Sequence, residues 1–407
     1  ISKTFKNQVQ FFSTIEKIDT SYKVEEIRNN INKQKNSNIK EYGESIIEYL
    51  ENIMQEENLY VRKNYLIIES KEPYNKALIE LKEFYDDLKY NLTLIKIKTT
   101  LIDELDTIEL IYRELNKGDN EKIRKIIQEG GMEFYAKKRE NKRKKDNIFD
   151  KMPNLIELMI PDCVDEKRDY IVLGDNKYSR NFVISTYPNK IFLGWLDRIF
   201  SLLGDVSLSI MVRPTDQDTV VRQLNKKVTI LESEKQTYEN KGTIDLIHPI
   251  QKMIYDYDEI RNLVQTYNDK LFFVSIFFRI NATNLEELNT KSNLLKSEFA
   301  KLSAKARCLN FRQFEGLRAN LPFDTSNIID YERNVTSEGL ATMFPIANSN
   351  TESNVNGVPI GRNYFTGLPV YLNTFDKSLT NPHIVILGIT GAGKSVTMDT
   401  LSSRSLV

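Results

Sequence analysis

The sequence predicts an α+β protein that ends in the opening of an α/β phosphate-binding domain. Three observations predict this. Long amphipathic stretches of helical period alternate with short β-branched and aromatic runs. An almost wholly apolar run, Leu271 to Ile280, has the length and character of a central buried strand. Near the end, an apolar strand-type run from His383 leads into Gly388, four further residues and then Gly393-Lys394-Ser395. That last spacing, G-x-x-x-x-G-K-[ST], is the phosphate-binding loop.

Composition narrows the class. The 407 residues suffice for two or three domains. Lys+Arg and Asp+Glu both number 57, so bulk charge gives no argument for nucleic-acid affinity, although a local patch remains open. A hydrophobic content of 40% with 28% charged residues is that of an ordinary soluble globular protein. The two cysteines, Cys163 and Cys308, stand far apart and are expected as reduced, buried thiols of a cytosolic protein. His248 and His383 each stand alone, so neither a metal cluster nor a Ser-His-Asp set can be built on them. No run approaches the 18 or so apolar residues of a membrane span. No signal peptide is legible, and because position 1 is Ile rather than Met, a preceding segment is expected.

The chain divides into four segments. Residues 1–135 are rich in Lys, Glu and Asn, and most of this reads as helix. From Ile39 to Glu56, the residues Tyr42, Ile46, Tyr49, Leu50 and Ile53 share one apolar face. Tyr60 to Glu69 is strand-like. Pro73 opens a helix from Tyr74 to about Leu92, Leu94 to Ile97 reads as a short alternating strand, and Asp103 starts a helix to Leu115. This order suggests a small α+β sandwich, and nothing in it carries catalytic chemistry.

Residues 136–152 carry the densest charge run, Lys137 to Lys145. The run reads either as a solvated linker or helix end, or as a surface patch for anionic lipid or nucleic acid. It contains no aromatic residue, which counts against a base-stacking platform.

Residues 153–325 read as a second α+β domain. Two strands flank Gly174-Asp175-Asn176 as a hairpin. Phe192, Leu196, Ile199, Phe200 and Leu203 share a helix face, and Trp195 is expected in the core. Val206, Leu208, Ile210 and Val212 alternate with Ser207, Ser209 and Met211, which predicts a half-buried strand. Pro214 begins long helical stretches to about Tyr267, and a further helix is expected from Asn284 to Ala306. Strand, helix, strand, long helices, strand and helix are compatible with a ferredoxin-like sandwich bearing a helical insertion.

Residues 326–407 begin the third fold unit. Gly357 to Asn373 reads as two short strands around Thr366-Gly367, followed by the phosphate loop and a helix. The glycines Gly388, Gly391 and Gly393 allow backbone turns and close approach to phosphate. The amides from Gly391 through Ala392 to Val396 are expected to face phosphate oxygens at a helix start, where unpaired donors and the dipole favour an anion. Lys394 would reach the β/γ-phosphates of ATP, and the Ser395 hydroxyl would coordinate Mg²⁺.

These features together resemble a known family. Gly361-Arg362-Asn363, Thr366-Gly367-Leu368-Pro369-Val370, Phe375-Asp376, Asn381-Pro382-His383 and the loop are similar to the entry of the motor domain in conjugative-transfer ATPases of type IV secretion systems. Tyr178-Ser179-Arg180, Tyr187-Pro188, Gly194-Trp195-Leu196 and Val212-Arg213-Pro214 are similar to the central region of that family, its Gram-positive conjugative-element branch above all. The likeness covers about 150–407.

The resemblance implies an N-terminal α+β region that docks on inner-membrane secretion subunits, and a RecA-like motor that assembles as a homo-oligomer, usually a hexamer. It implies ATP hydrolysis at the cytoplasmic face of the membrane, powering channel or pilus assembly and substrate transfer. Carried over residue by residue are Gly388, Thr390, Gly391, Gly393, Lys394 and Ser395. Lys394 is the catalytic candidate, stabilising charge during in-line attack of water on the γ-phosphate. The acidic strand end that assists Mg²⁺ is expected beyond Val407. Two rival readings are a DNA-translocating coupling ATPase, contacting DNA or a relaxase–DNA complex, and a non-catalytic docking module.

Overall fold

The computed structural model describes residues 7–17, 21–56, 60–95, 97, 99–116, 159–161, 163–174, 177–188, 191–196, 199, 203, 205–242, 244–266, 269–323, 328–343, 357–362, 369–376, 379 and 381–405. The basic run Lys137 to Lys145 lies outside them, as do Thr366-Gly367 and Phe200. The architecture is mixed helix and antiparallel sheet. Contacts divide the chain into two compact units, one of Ile1–Ser13 with Asn64–Pro345, the other of Thr14–Lys63 with Ile346–Val407. This division does not follow the linear segments, because the chain start and the middle of the chain share a sheet.

That sheet is nine-stranded. Its path runs β2 (Tyr60–Ile68), β1 (Val9–Lys17), β6 (Val206–Pro214), β7 (Leu271–Ala282), β5 (Lys177–Thr186), β4 (Ile171–Leu173) and β3 (Val164–Glu166). In addition β8 (Lys305–Cys308) pairs with β5, and β9 (Arg333–Thr336) pairs with β7. β7 lies antiparallel to both β6 and β5, with Phe278 opposite Leu208 on one side and Phe182 on the other. β4 and β5 form the expected hairpin, and Gly174 turns it at φ +55°. In the Lys/Glu/Asn-rich start, β1 appears beside the helices; it pairs Val9 with Val212 and Phe12 with Ser209.

Strand alternation gives the sheet two different faces. The first is apolar: Phe182 and Ile184 from β5, Val206 to Val212 at every second position of β6, and Phe272 to Ile280 likewise from β7. α7 (Leu285–Lys301) covers this face with Leu288, Leu295 and Phe299. Leu196, Ile199 and Leu203 are buried as the helical spacing predicts, whereas Phe192 is exposed. Trp195 is buried edge-on to Phe299, with ring centroids 6.3 Å apart. Arg180 joins α7 to the sheet, donating to the Ser292 hydroxyl at 2.9 Å and to the Asp169 carboxylate at 2.7 Å.

The second face is equally buried but mixed: Val183, Met211 and Phe277 pack there with Leu309, Ala319 and Ile328, beside buried polar groups. β6 is therefore enclosed on both sides rather than half-buried, since Ser207 and Ser209 are solvent-excluded. α4 (Glu104–Leu115), capped by the Asp103 side chain, lowers Glu114 onto it. Glu114 accepts hydrogen bonds from Arg279 of β7 and from the Ser207 hydroxyl, and both charged side chains are fully buried. Burial pulls the Arg279 guanidinium down to about 9, so it remains cationic at neutral pH beside its carboxylate. Gln10 donates to the Ser209 hydroxyl and to the Leu321 carbonyl, each at 2.8 Å. Gln313 of α8 (Gln313–Ala319) accepts from the Asn181 amide N–H at 2.8 Å. That approach requires Gly316, where a Cβ would stand 2.6 Å from the Asn181 Cβ.

Three local expectations are corrected. The described residues of Leu94 to Ile97 form no strand: Leu94 is the last residue of α3 (Tyr74–Leu94), Ile95 caps it, and the Ile97 N–H closes back on the Leu92 carbonyl. The helix begun at Asn284 stops at Lys301 rather than Ala306. Ser303 turns left-handed at φ +56°, and the next residues pair with β5 as β8. Cys163 is exposed and Cys308 partly buried, so neither is a fully buried core thiol. The long helices α5 (Gln217–Lys241) and α6 (Ile244–Thr266) form as predicted and pack as a pair; Val220, Leu224 and Val264 share their seam with Leu271 of β7.

The second unit contains α1 (Ser21–Lys33) and α2 (Ser37–Glu56), which pack through Val24, Ile27, Ile31, Ile46, Ile47 and Leu50. Ile46 and Leu50 fulfil the predicted face, while Tyr49 is exposed. This unit also contains the antiparallel hairpin of β10 (Val358–Arg362) and β11 (Pro369–Leu372), and α10 (Lys394–Arg404).

Two measurements test this account. Glu114→Ala strands a buried guanidinium and should lower unfolding free energy by about 3–5 kcal/mol in urea titration; the pair replacement Glu114→Leu with Arg279→Met should restore most of it. Glu287 is the second. Desolvation pushes its carboxyl up, but hydrogen bonds from Lys291 and from the backbone and hydroxyl of Thr283 outweigh this and hold it at about 2. A depressed folded pKa stabilises above the unfolded value and loses that contribution as pH falls. Stability should therefore decline between about pH 4.5 and about pH 2, and Glu287→Gln should flatten part of that slope.

Candidate nucleotide-binding site

The phosphate loop lies in the second unit. It links the segment from His383 to the first turn of α10. The expected strand before it does not form. His383 to Ile389 has no ladder partner among the described residues, and Val385, Leu387 and Ile389 are 78%, 88% and 82% exposed. An apolar run becomes a strand only when neighbouring strands satisfy its amides and carbonyls.

The loop itself is shaped by its glycines. Gly391 and Gly393 have φ of +83° and +79°, the left-handed region in which a side chain is strained. No atom stands within 4 Å of the position a Cβ would take at either residue. The constraint there is conformational, and the space beside both backbones is open. The Ala392 N–H donates to the Ile389 carbonyl at 3.2 Å and tightens the turn through Thr390.

Gly393 caps α10, and its carbonyl accepts from the Thr397 N–H at 2.9 Å and the Thr397 hydroxyl at 3.0 Å. The first-turn amides of Lys394, Ser395 and Val396 have no acceptor one turn earlier within the helix, which leaves them as the donors of the helix end.

Lys394 folds back over the loop. Its ammonium donates to the carbonyls of Gly388 at 2.9 Å and Ile389 at 2.8 Å. A Cβ on Gly388 would contact the Lys394 side chain at 3.5 Å, so the glycine leaves room for this path. The structure thus brings Gly388, Thr390, Gly391, Ala392, Gly393, Lys394, Ser395 and Val396 into one continuous turn and helix start. The exposed backbone donors and one cation of this set suit a polyphosphate. The exposed Ser395 hydroxyl suits a hard divalent cation.

One anchoring residue has no motif to announce it. Arg404, at the far end of α10, donates to the Pro359 carbonyl of β10 at 2.6 Å. His248 and His383 are exposed. Among the described residues no group of His, Cys, Asp and Glu could hold a metal, and no helix is long and apolar enough to cross a membrane.

Comparison with known proteins places this part of the chain. No curated protein matches the sequence. Residues 358–406, which carry β10, β11, the loop and α10, match the family described as Helicase HerA, central domain. That is a P-loop ATPase domain, so this segment has the character of a nucleotide-dependent motor.

Proposed function

We propose that this chain is the nucleotide-binding and docking portion of an ATP-driven motor subunit of a conjugative type IV secretion system. The observation that carries the reading is the phosphate loop seated on α10 within a segment matching a motor ATPase domain. The upstream likeness over about 150–407 supports the secretion branch. In this reading Gly388, Thr390, Gly391, Ala392, Gly393 and Val396 line the triphosphate of ATP. Lys394 exchanges its two carbonyl partners for phosphate oxygens and stabilises charge there. Ser395 holds Mg²⁺, which supplies Lewis-acid stabilisation of the phosphates when bound. The RecA-like motor works as a homo-oligomer, a hexamer by family likeness, against the cytoplasmic face of the membrane.

The first unit is proposed as the docking body for inner-membrane secretion subunits. Its strand order β8-β5-β7-β6 is antiparallel throughout, with α5 and α6 inserted between β6 and β7 and α7 before β8. That order supports the ferredoxin-like reading of residues 153–325. A second reading, translocation of DNA, is favoured by the helicase name of the matching domain.

The full-length parent provides the test. Lys394→Ala should reduce ATP turnover by about a hundredfold or more; unchanged turnover would sink the assignment. Turnover stimulated by duplex DNA, with binding that falls steeply as salt rises, would select the translocation reading. Co-purification with membrane secretion subunits and no DNA stimulation would select the secretion reading.

A further inference from the structure

The second unit also carries a half-open cleft of about 270 Å³ lined by α1, α2, the β10–β11 hairpin and the end of α10. Its walls include the apolar side chains of Ile27, Ile46 and Leu372, and Phe375 stands on the lining with an exposed ring. Among the described residues Arg404 is the one charged side chain that lines it. Arg404 is under-bonded: one terminal nitrogen donates to the Pro359 carbonyl, while its Nε is solvent-excluded and without a hydrogen-bond partner. No carboxylate among the described residues pairs with it.

The wall mixes these apolar side chains with the uncharged polar groups of Asn30, Asn373, Thr374 and Ser405, and a single guanidinium in such a wall suits an anion on a partly apolar body. A cleft of that size is at the small end of small-molecule sites and suits one ring with a short acidic arm. The aromatic ring of Phe375 offers a stacking surface for such a ring. We infer that this cleft binds a small aromatic carboxylate, with Arg404 as its anion anchor. The site is separate from the phosphate loop, since Lys394 and Arg404 mark opposite ends of α10. The α-helical rise puts those ends roughly 15 Å apart.

The test is titration of the 407-residue chain with phenylacetate, followed by calorimetry and ligand-observed NMR. Phenylacetate should bind at least about tenfold more tightly than acetate, which lacks the ring, or 2-phenylethanol, which lacks the charge. Arg404→Gln keeps a donor for the Pro359 carbonyl and should abolish the preference for the charged ligand. Asn30→Asp, which places a carboxylate on the cleft wall, should weaken binding by at least about tenfold while the thermal midpoint stays unchanged. Binding should persist in Lys394→Ala. Equal affinity for 2-phenylethanol, binding indifferent to Asn30→Asp, or loss of binding in Lys394→Ala, which would put the anion in the phosphate loop, each overturns the inference.

Discussion

The first unit depends on the enclosure of β7. Ten of its twelve residues are buried, on alternating sides, and the strand is paired along one edge by β6 from Phe272 to Ile280 and along the other by β9 from Leu271 to Val274 and β5 from Phe277 to Ala282. A strand in that position must be covered on both faces, and each cover has a different chemistry. α7 together with Trp195, Leu196, Ile199 and Leu203 supplies an apolar lid. The opposite lid, formed by α4 and the chain from Leu309 to Leu321, meets a mixed face, where Val183, Met211 and Phe277 pack with Leu309 and Ala319 beside serines, an asparagine and an arginine. The cover brings polar groups of its own: Glu114 meets one terminal nitrogen of Arg279 and the Ser207 hydroxyl, and Gln313 and Asn320 meet Asn181, while the Nε and Nη1 of Arg279 stay buried without a partner among the described residues.

Polar burial of this kind stabilises less than an apolar core of the same volume, but it tolerates fewer alternatives. An apolar face accepts a helix shifted by a turn. The second face accepts α4 only where Glu114 reaches Arg279, and accepts α8 only where Gly316 lets Gln313 reach Asn181. The same reasoning explains how the chain start is held. β1 offers Phe12 and Val9 to burial, while Gln10 is tied to Ser209 and to the carbonyl of Leu321.

The phosphate loop follows the opposite rule. Almost nothing there is buried, and its shape comes from backbone conformation. Two left-handed glycines, a short turn and the start of α10 hold the donors in place. Lys394 meanwhile rests on two loop carbonyls, so the cation is retained at the loop rather than released to solvent. A site of this kind is local, and it can keep its geometry while the strand-type run before it has no sheet to join.

Local chemistry was therefore legible in the sequence wherever one stretch suffices. The Gly388 to Ser395 spacing, the helix starts at Asp103 and Asn284, the Gly174 hairpin and the helical stretches of α5 and α6 all follow from neighbours a few residues apart. Composition could not show that β1 leaves the helical start to join β6, or that Ser207 and Ser209 face a second cover rather than water. Nor could it pair Glu114 with Arg279, which lie 165 residues apart. Period and propensity describe one face of one element. Which surface covers it, and whether an apolar run such as His383 to Ile389 finds strands on its edges, is decided by long-range contacts that only the tertiary structure supplies.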